Sequence, residues 1–151
     1  MEITDGAIEV ALRWYFEERG RSDWGLSEDQ WRTITRQMRD VLEAAAPRPE
    51  GLLFYRGLVE QTDLRDHPAW NLLVAEFLLL LVKACVDSGL PLLTALVYGK
   101  ASNEPGPGFY DAARHFGLLS PSRSDDEFWF SQIAEVRVRW RQGTSLGLRR
   151  P

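Results

Sequence analysis

A chain of 151 residues with a formal net charge of −4 and a single cysteine is the size of one domain. The acidic balance argues against a dedicated binder of phosphate backbones, which carries net positive charge, and a lone cysteine excludes an internal disulfide. Six tryptophans and 44% apolar residues suffice for a core, which at this length hides about two-thirds of the unfolded surface.

The opening MEITDGAIEV has no basic flank ahead of an apolar run, so no secretory signal is expected. A cytosolic compartment fits the one cysteine, Cys85,. In residues 5–19, Ile8, Ala11, Leu12, Tyr15 and Phe16 recur at helical spacing before Gly20,. Ser27 followed by Gln30 has the form of a capping box. It opens a second helix to about Ala46, with Trp31, Ile34, Met38, Val41 and Leu42 on one stripe and Pro47 and Pro49 as the stop.

Leu52–Tyr55 reads as a short extended entry into a short helix. Asp66 and Pro68 are expected to begin a long helix, because proline suits the first turn, and Gly89 to end it. Glu76, Lys83 and Asp87 share one narrow stripe of that helix and nearly everything else is apolar. It therefore reads as a central helix or an oligomer contact rather than a membrane span.

Residues 92–98 predict a strand, 99–108 a loop stiffened by Pro105 and Pro107, and 109–117 a short amphipathic helix,. The loop is no phosphate cradle, because proline supplies no N–H. Ser124 with Glu127 caps a last helix bearing Trp129, Ile133, Val136 and Trp140,. The run EVRVRW also alternates with period two, so the 133–141 stretch could end as strand.

Three chemistries compete for the polar residues. His67, Asp111 and His115 could hold a metal for hydrolysis if the fold joined them, against a plainer reading of caps and surface groups. Arg137, Arg139 and Arg141 could meet phosphate, against the plainer reading of a solvated helix end. Lys100, Asn103, Glu104, Phe109, Trp129 and Trp140 mark the rigid loop and the aromatic last helix as contact surfaces. Cys85 sits in an apolar run and reads as inert filler. No nucleophile–base pair stands out, and no cofactor is expected.

The segment LPLLTALVYGKASNEPGPGF, Leu90 to Phe109, resembles a group of small, poorly characterised bacterial proteins with the pattern LPPLT-x-LVVNK-x-TG-x-PG-x-GF. Tyr98-Gly99 replaces Val-Asn here, and Ser102-Asn103 replaces Thr-Gly. The order short helix, long helix, strand, loop is also similar to the winged-helix domain of alkyltransferases. Their Pro-Cys-His-Arg-Val chemistry has no counterpart in PLLTALV.

These observations predict a mostly helical α+β domain. A helical hairpin (1–46) packs on a winged-helix-like unit (47–142) with a small sheet, followed by a basic tail (143–151). The expected function is a non-catalytic protein-interaction module, cytosolic and bacterial, with a homodimer as one partner arrangement. The alternatives are a nucleic-acid binder and a metal-dependent hydrolase.

Overall fold

The structure, a computed structural model, describes residues 2–18, 20 and 22–149, with residues 142–149 as backbone only. It is mostly helical, with a two-stranded parallel sheet. Helix α1 spans Asp5–Arg13 and continues as a π-helical segment, Trp14–Glu18. Thr4 caps α1 by accepting the Ala7 N–H.

Helix α2, Glu28–Ala45, starts on the predicted capping box. The Ser27 hydroxyl accepts from the Gln30 N–H at 3.1 Å, and the Gln30 side chain accepts from the Ser27 N–H at 2.8 Å. Its stripe of Trp31, Ile34, Met38 and Leu42 is buried. Trp31 stacks on Phe77 with centroids 4.3 Å apart and donates its indole N–H to the Asp23 carbonyl at 2.9 Å. Such ring pairs add about 0.5–1.5 kcal/mol beyond burial alone.

Strand β1, Leu53–Phe54, leads directly into helix α3, Tyr55–Glu60. Helix α4 spans Trp70–Asp87 and begins later than Asp66 and Pro68 suggested. Asp66 closes a 3-10 turn, Asp63–Asp66. His67 then makes the junction, with its Nδ1 accepting the Ala69 N–H at 3.0 Å. Helix α4 is the hub of the fold and packs on α1, α2 and α3. Leu73, Phe77, Leu80, Leu81, Ala84 and Cys85 are all buried along it. Burial of each large side chain is worth about 1.5–3 kcal/mol, which is why this helix is apolar around most of its girth. The polar stripe survives as a Lys83–Asp87 ion pair at 2.9 Å. Gly89, at φ +66°, ends the helix with a Leu90 N–H to Cys85 carbonyl bond of 2.9 Å,.

The predicted strand 92–98 is mostly a 3-10 turn, Leu93–Leu96, and only Val97–Tyr98 forms strand β2. The reason lies in the last helix: the Gln132 side chain accepts the Leu92 N–H at 2.8 Å, and the Trp129 indole donates to the Ala95 carbonyl at 2.9 Å. With its polar backbone groups served this way, the segment has no need of a longer ladder. Strand β2 pairs parallel with β1, Leu53 opposite Val97 and Phe54 opposite Tyr98. This pair is a crossover connection, and among the described residues there is no antiparallel hairpin of the kind a wing requires.

Helix α5, Pro107–His115, has proline in its first turn, and Gly117 at φ +74° follows it. Helix α6, Asp125–Arg149, is capped by the Ser124 hydroxyl, which accepts the Glu127 N–H at 3.1 Å. The 133–141 stretch is helix, not strand. The backbone of the expected tail is helical as far as Arg149; Arg150 and Pro151 lie outside the described residues. Among the described residues, no helix is long and apolar enough to cross a membrane.

Candidate functional site

Two surfaces singled out from sequence, the apolar long helix and the stiff loop, meet. Trp70, Val74, Leu78 and Val82 of α4 and Phe109 and Ala112 of α5 line a cavity of about 310 Å³. Tyr55, Asn71, Thr94 and Gly106 are also part of its wall. Among the described residues, no charged one lines it.

Gly106 is there because the backbone comes close: its N–H donates to the Tyr55 hydroxyl at 2.7 Å, and a Cβ would stand 3.1 Å from that oxygen,. Burial raises the Tyr55 phenol above its ordinary value, so it stays protonated. Thr94 is 3% exposed, and its hydroxyl has no hydrogen-bond partner among the described residues.

A second feature lies on the outside. The rings of Phe54 and Tyr98, side by side across the β1–β2 pair, are 4.8 Å apart. Tyr98 reaches Trp129 at 6.4 Å, and Trp129 stacks on Phe130 at 5.1 Å. Lys100 Nζ lies 5.8 Å from the Phe54 ring centre. Phe130 is 58% exposed and Phe54 37%, so this aromatic strip is anchored in the core and open at both ends.

Comparison with family models, curated proteins and solved structures finds no match. The site therefore rests on its own geometry.

Of the residues expected at a contact surface, Lys100, Asn103 and Glu104 are exposed. Asn103 holds a left-handed turn at φ +57°, and the Glu104 carbonyl accepts the Gly99 N–H at 2.9 Å. Phe109, Trp129 and Trp140 are instead buried. Trp140 donates its indole N–H to Glu43 at 2.9 Å and Trp129 donates to Ala95, so both act as anchors of α6.

The arginines are largely engaged. Arg137 donates to the carbonyls of Ala46, at 3.2 Å, and of Arg48, which closes off the end of α2. Burial and the neighbouring Arg141 charge lower its pKa. Arg139 pairs with Glu2 at 3.1 Å, while Arg141 is exposed.

The metal triad is not assembled. His67 lies by Trp24, whose carbonyl is 3.2 Å from its Nε2, and its Nδ1 is used at the α4 junction. Asp111 lies 3.7 Å from Arg114, and His115 packs edge-on against Phe116 at 4.9 Å. No group of three or more His, Cys, Asp or Glu side chains that could hold a metal occurs among the described residues. Cys85 is fully buried, and burial pushes its thiol up to about 12.

Tyr55, Thr94, Phe54 and Phe130 were not legible as site residues. A threonine inside an apolar run and an aromatic beside a tryptophan look like core filler. Only the fold shows which of them keeps an unmet hydroxyl or a bare ring.

Proposed function

We propose that this protein is a non-catalytic interaction module whose contact face is the strip Phe54–Tyr98–Trp129–Phe130, with Lys100 at its edge. The exposure of Phe130 carries the reading, because that ring extends a stack rooted in the buried Trp129. Aromatic side chains held rigid by their neighbours lose little entropy on binding, and they are enriched at interfaces. Lys100 suits a carboxylate on the partner beside an apolar side chain laid over Phe130.

The partner is a protein, and a second copy of this chain is one form of it. A cytosolic, bacterial setting agrees with the single buried thiol and with the resemblance of the 90–109 segment, which supplies Tyr98 and Lys100. The winged-helix likeness of residues 47–142 is one of element order and carries none of this proposal. Nucleic-acid binding is less well supported, since Arg137 and Arg139 already hold carbonyl and carboxylate partners. Metal-dependent hydrolysis lacks an assembled ligand set among the described residues.

The test replaces Phe130 with a photocrosslinking phenylalanine analogue and places the same analogue at exposed Glu17 as control. A discrete adduct from position 130 alone, lost when Phe54→Ala and Lys100→Glu are added, supports the proposal. Light scattering tells whether the adduct is a homodimer. Identical adduct patterns at 130 and 17, with a monomeric mass throughout, would refute it.

A further inference from the structure

The cavity between α3, α4 and α5 is separate from the aromatic strip. We propose that it binds a small uncharged molecule: an apolar aryl or short alkyl body carrying one hydrogen-bond-accepting oxygen, as in a ketone, an ester or an aldehyde.

Three observations converge on this class. The first is size. An apolar cavity of about 150 Å³ takes benzene, and this one has about 310 Å³. That is room for a substituted ring or a short branched chain, and it lies at the small end of the range of ligand sites.

The second is the wall. Among the described residues its lining is apolar apart from a few neutral polar groups, and it includes neither a carboxylate nor a cation. A charged ligand would lose its hydration and gain no counter-charge.

The third is polarity at chosen points. The Thr94 hydroxyl is buried and has no partner among the described residues. Buried hydroxyls are ordinarily satisfied, and one that is not is an exception requiring a cause. An acceptor oxygen on a ligand supplies the missing partner. Tyr55 adds a second donor. Its oxygen accepts from Gly106, and its own proton has no acceptor among the described residues. The lack of a counter-charge disfavours an ionised amine or acid, and the two hydroxyl protons suit an acceptor oxygen such as a carbonyl.

The test uses two probes of equal heavy-atom count, acetophenone and cumene, which differ in the carbonyl oxygen. Binding to the full chain is measured by ligand-observed NMR and calorimetry, with circular dichroism confirming that each variant is folded. Acetophenone is expected to bind roughly five- to tenfold more tightly than cumene, the value of one net hydrogen bond. Thr94→Val keeps the shape and removes one of the two hydroxyls, so it reduces the preference for acetophenone without changing the affinity for cumene. Ala112→Phe fills the cavity and weakens both.

The proposal is overturned if neither probe binds saturably. It is also overturned if Thr94→Val leaves the preference for acetophenone undiminished, or if a folded Ala112→Phe protein binds both probes as before. Should Ala112→Phe fail to fold, the Thr94→Val comparison decides alone. No partner is present in these measurements, so their failure leaves the interaction proposal standing, and the crosslinking result leaves this one standing.

Discussion

Glu43 is the strongest single point at which to perturb this protein. One of its carboxylate oxygens accepts from the Glu2 N–H at 2.7 Å, the Ile3 N–H at 3.2 Å and the Trp140 indole N–H at 2.9 Å. It therefore ties the start of the chain and α6 to α2. Hydrogen bonds to a charged group are each worth about 1.5–3 kcal/mol, but three on one oxygen do not add in full. The Glu2 N–H can turn to water, whereas Ile3 and Trp140 are buried. Glu43→Ala should then cost about 2–4 kcal/mol. At about 2–4 °C per kcal/mol for a chain of this size, that lowers Tm by about 4–16 °C. Glu43→Gln keeps an acceptor without the charge, and charged bonds are about twice as strong as neutral ones, so it should lose about 1–2 kcal/mol. Urea unfolding followed by circular dichroism measures both, with an unchanged slope showing that the unfolded state is unaffected. A double-mutant cycle with Trp140→Phe should show a coupling of about 1 kcal/mol or more. The reasoning fails if Glu43→Ala costs less than about 0.5 kcal/mol, as an indifferent surface change does, or if it adds simply to Trp140→Phe.

Other outcomes follow from groups already described. Cys85, with its thiol near pH 12 and fully buried, should resist iodoacetamide at pH 8 until denaturant opens the core, so labelling should track unfolding. Hydrogen bonds from Arg39 to Asp5 and from Arg32 to Glu9 hold these carboxyls below their ordinary values of 3.8 and 4.5. Their contribution is present above about pH 4.5 and is lost as pH falls through the folded-state values, because the unfolded chain takes up those protons first. Asp5→Asn with Glu9→Gln should flatten the acid limb of a stability–pH curve. Gly51→Ala would drive a Cβ into the Ala45 carbonyl and should cost about 1–3 kcal/mol through the backbone shift it forces, read as a lower urea midpoint. Thr94→Val should leave the ligand-free protein as stable as before or about 1 kcal/mol more so, because it removes a buried hydroxyl that has no partner,.

Local signals carried much of the fold. The Ser27–Gln30 box, the α2 stripe, the turn from Leu53–Phe54 into a short helix and the central place of α4 all depend on neighbours a few residues away, and all were legible. The 92–98 segment was not. Its apolar, β-branched look suits a strand, but its backbone is satisfied by Trp129 and Gln132, more than thirty positions on. Periodicity along a chain carries no trace of such a partner. The start of α4 differs for a local reason: His67 serves that junction with its ring nitrogen two residues from Ala69, where Pro68 and its fixed φ suggest an earlier start. For the site, the long helix and the stiff loop were both legible as special. That they face one another across a cavity, with Thr94 between them, is a product of the fold alone.

The bond from Trp140 to Glu43 spans 97 residues, and that from Arg137 to Ala46 spans 91. A ribosome delivers the N-terminal hairpin first, so its carboxylate and its open helix end wait for most of the chain to be made. Closing a loop of that length is entropically costly, and the payoff comes late. During synthesis the hairpin's greasy inner side is covered once α4 follows it, but the Glu43 carboxylate and the end of α2 stay a half-built latch until α6 arrives.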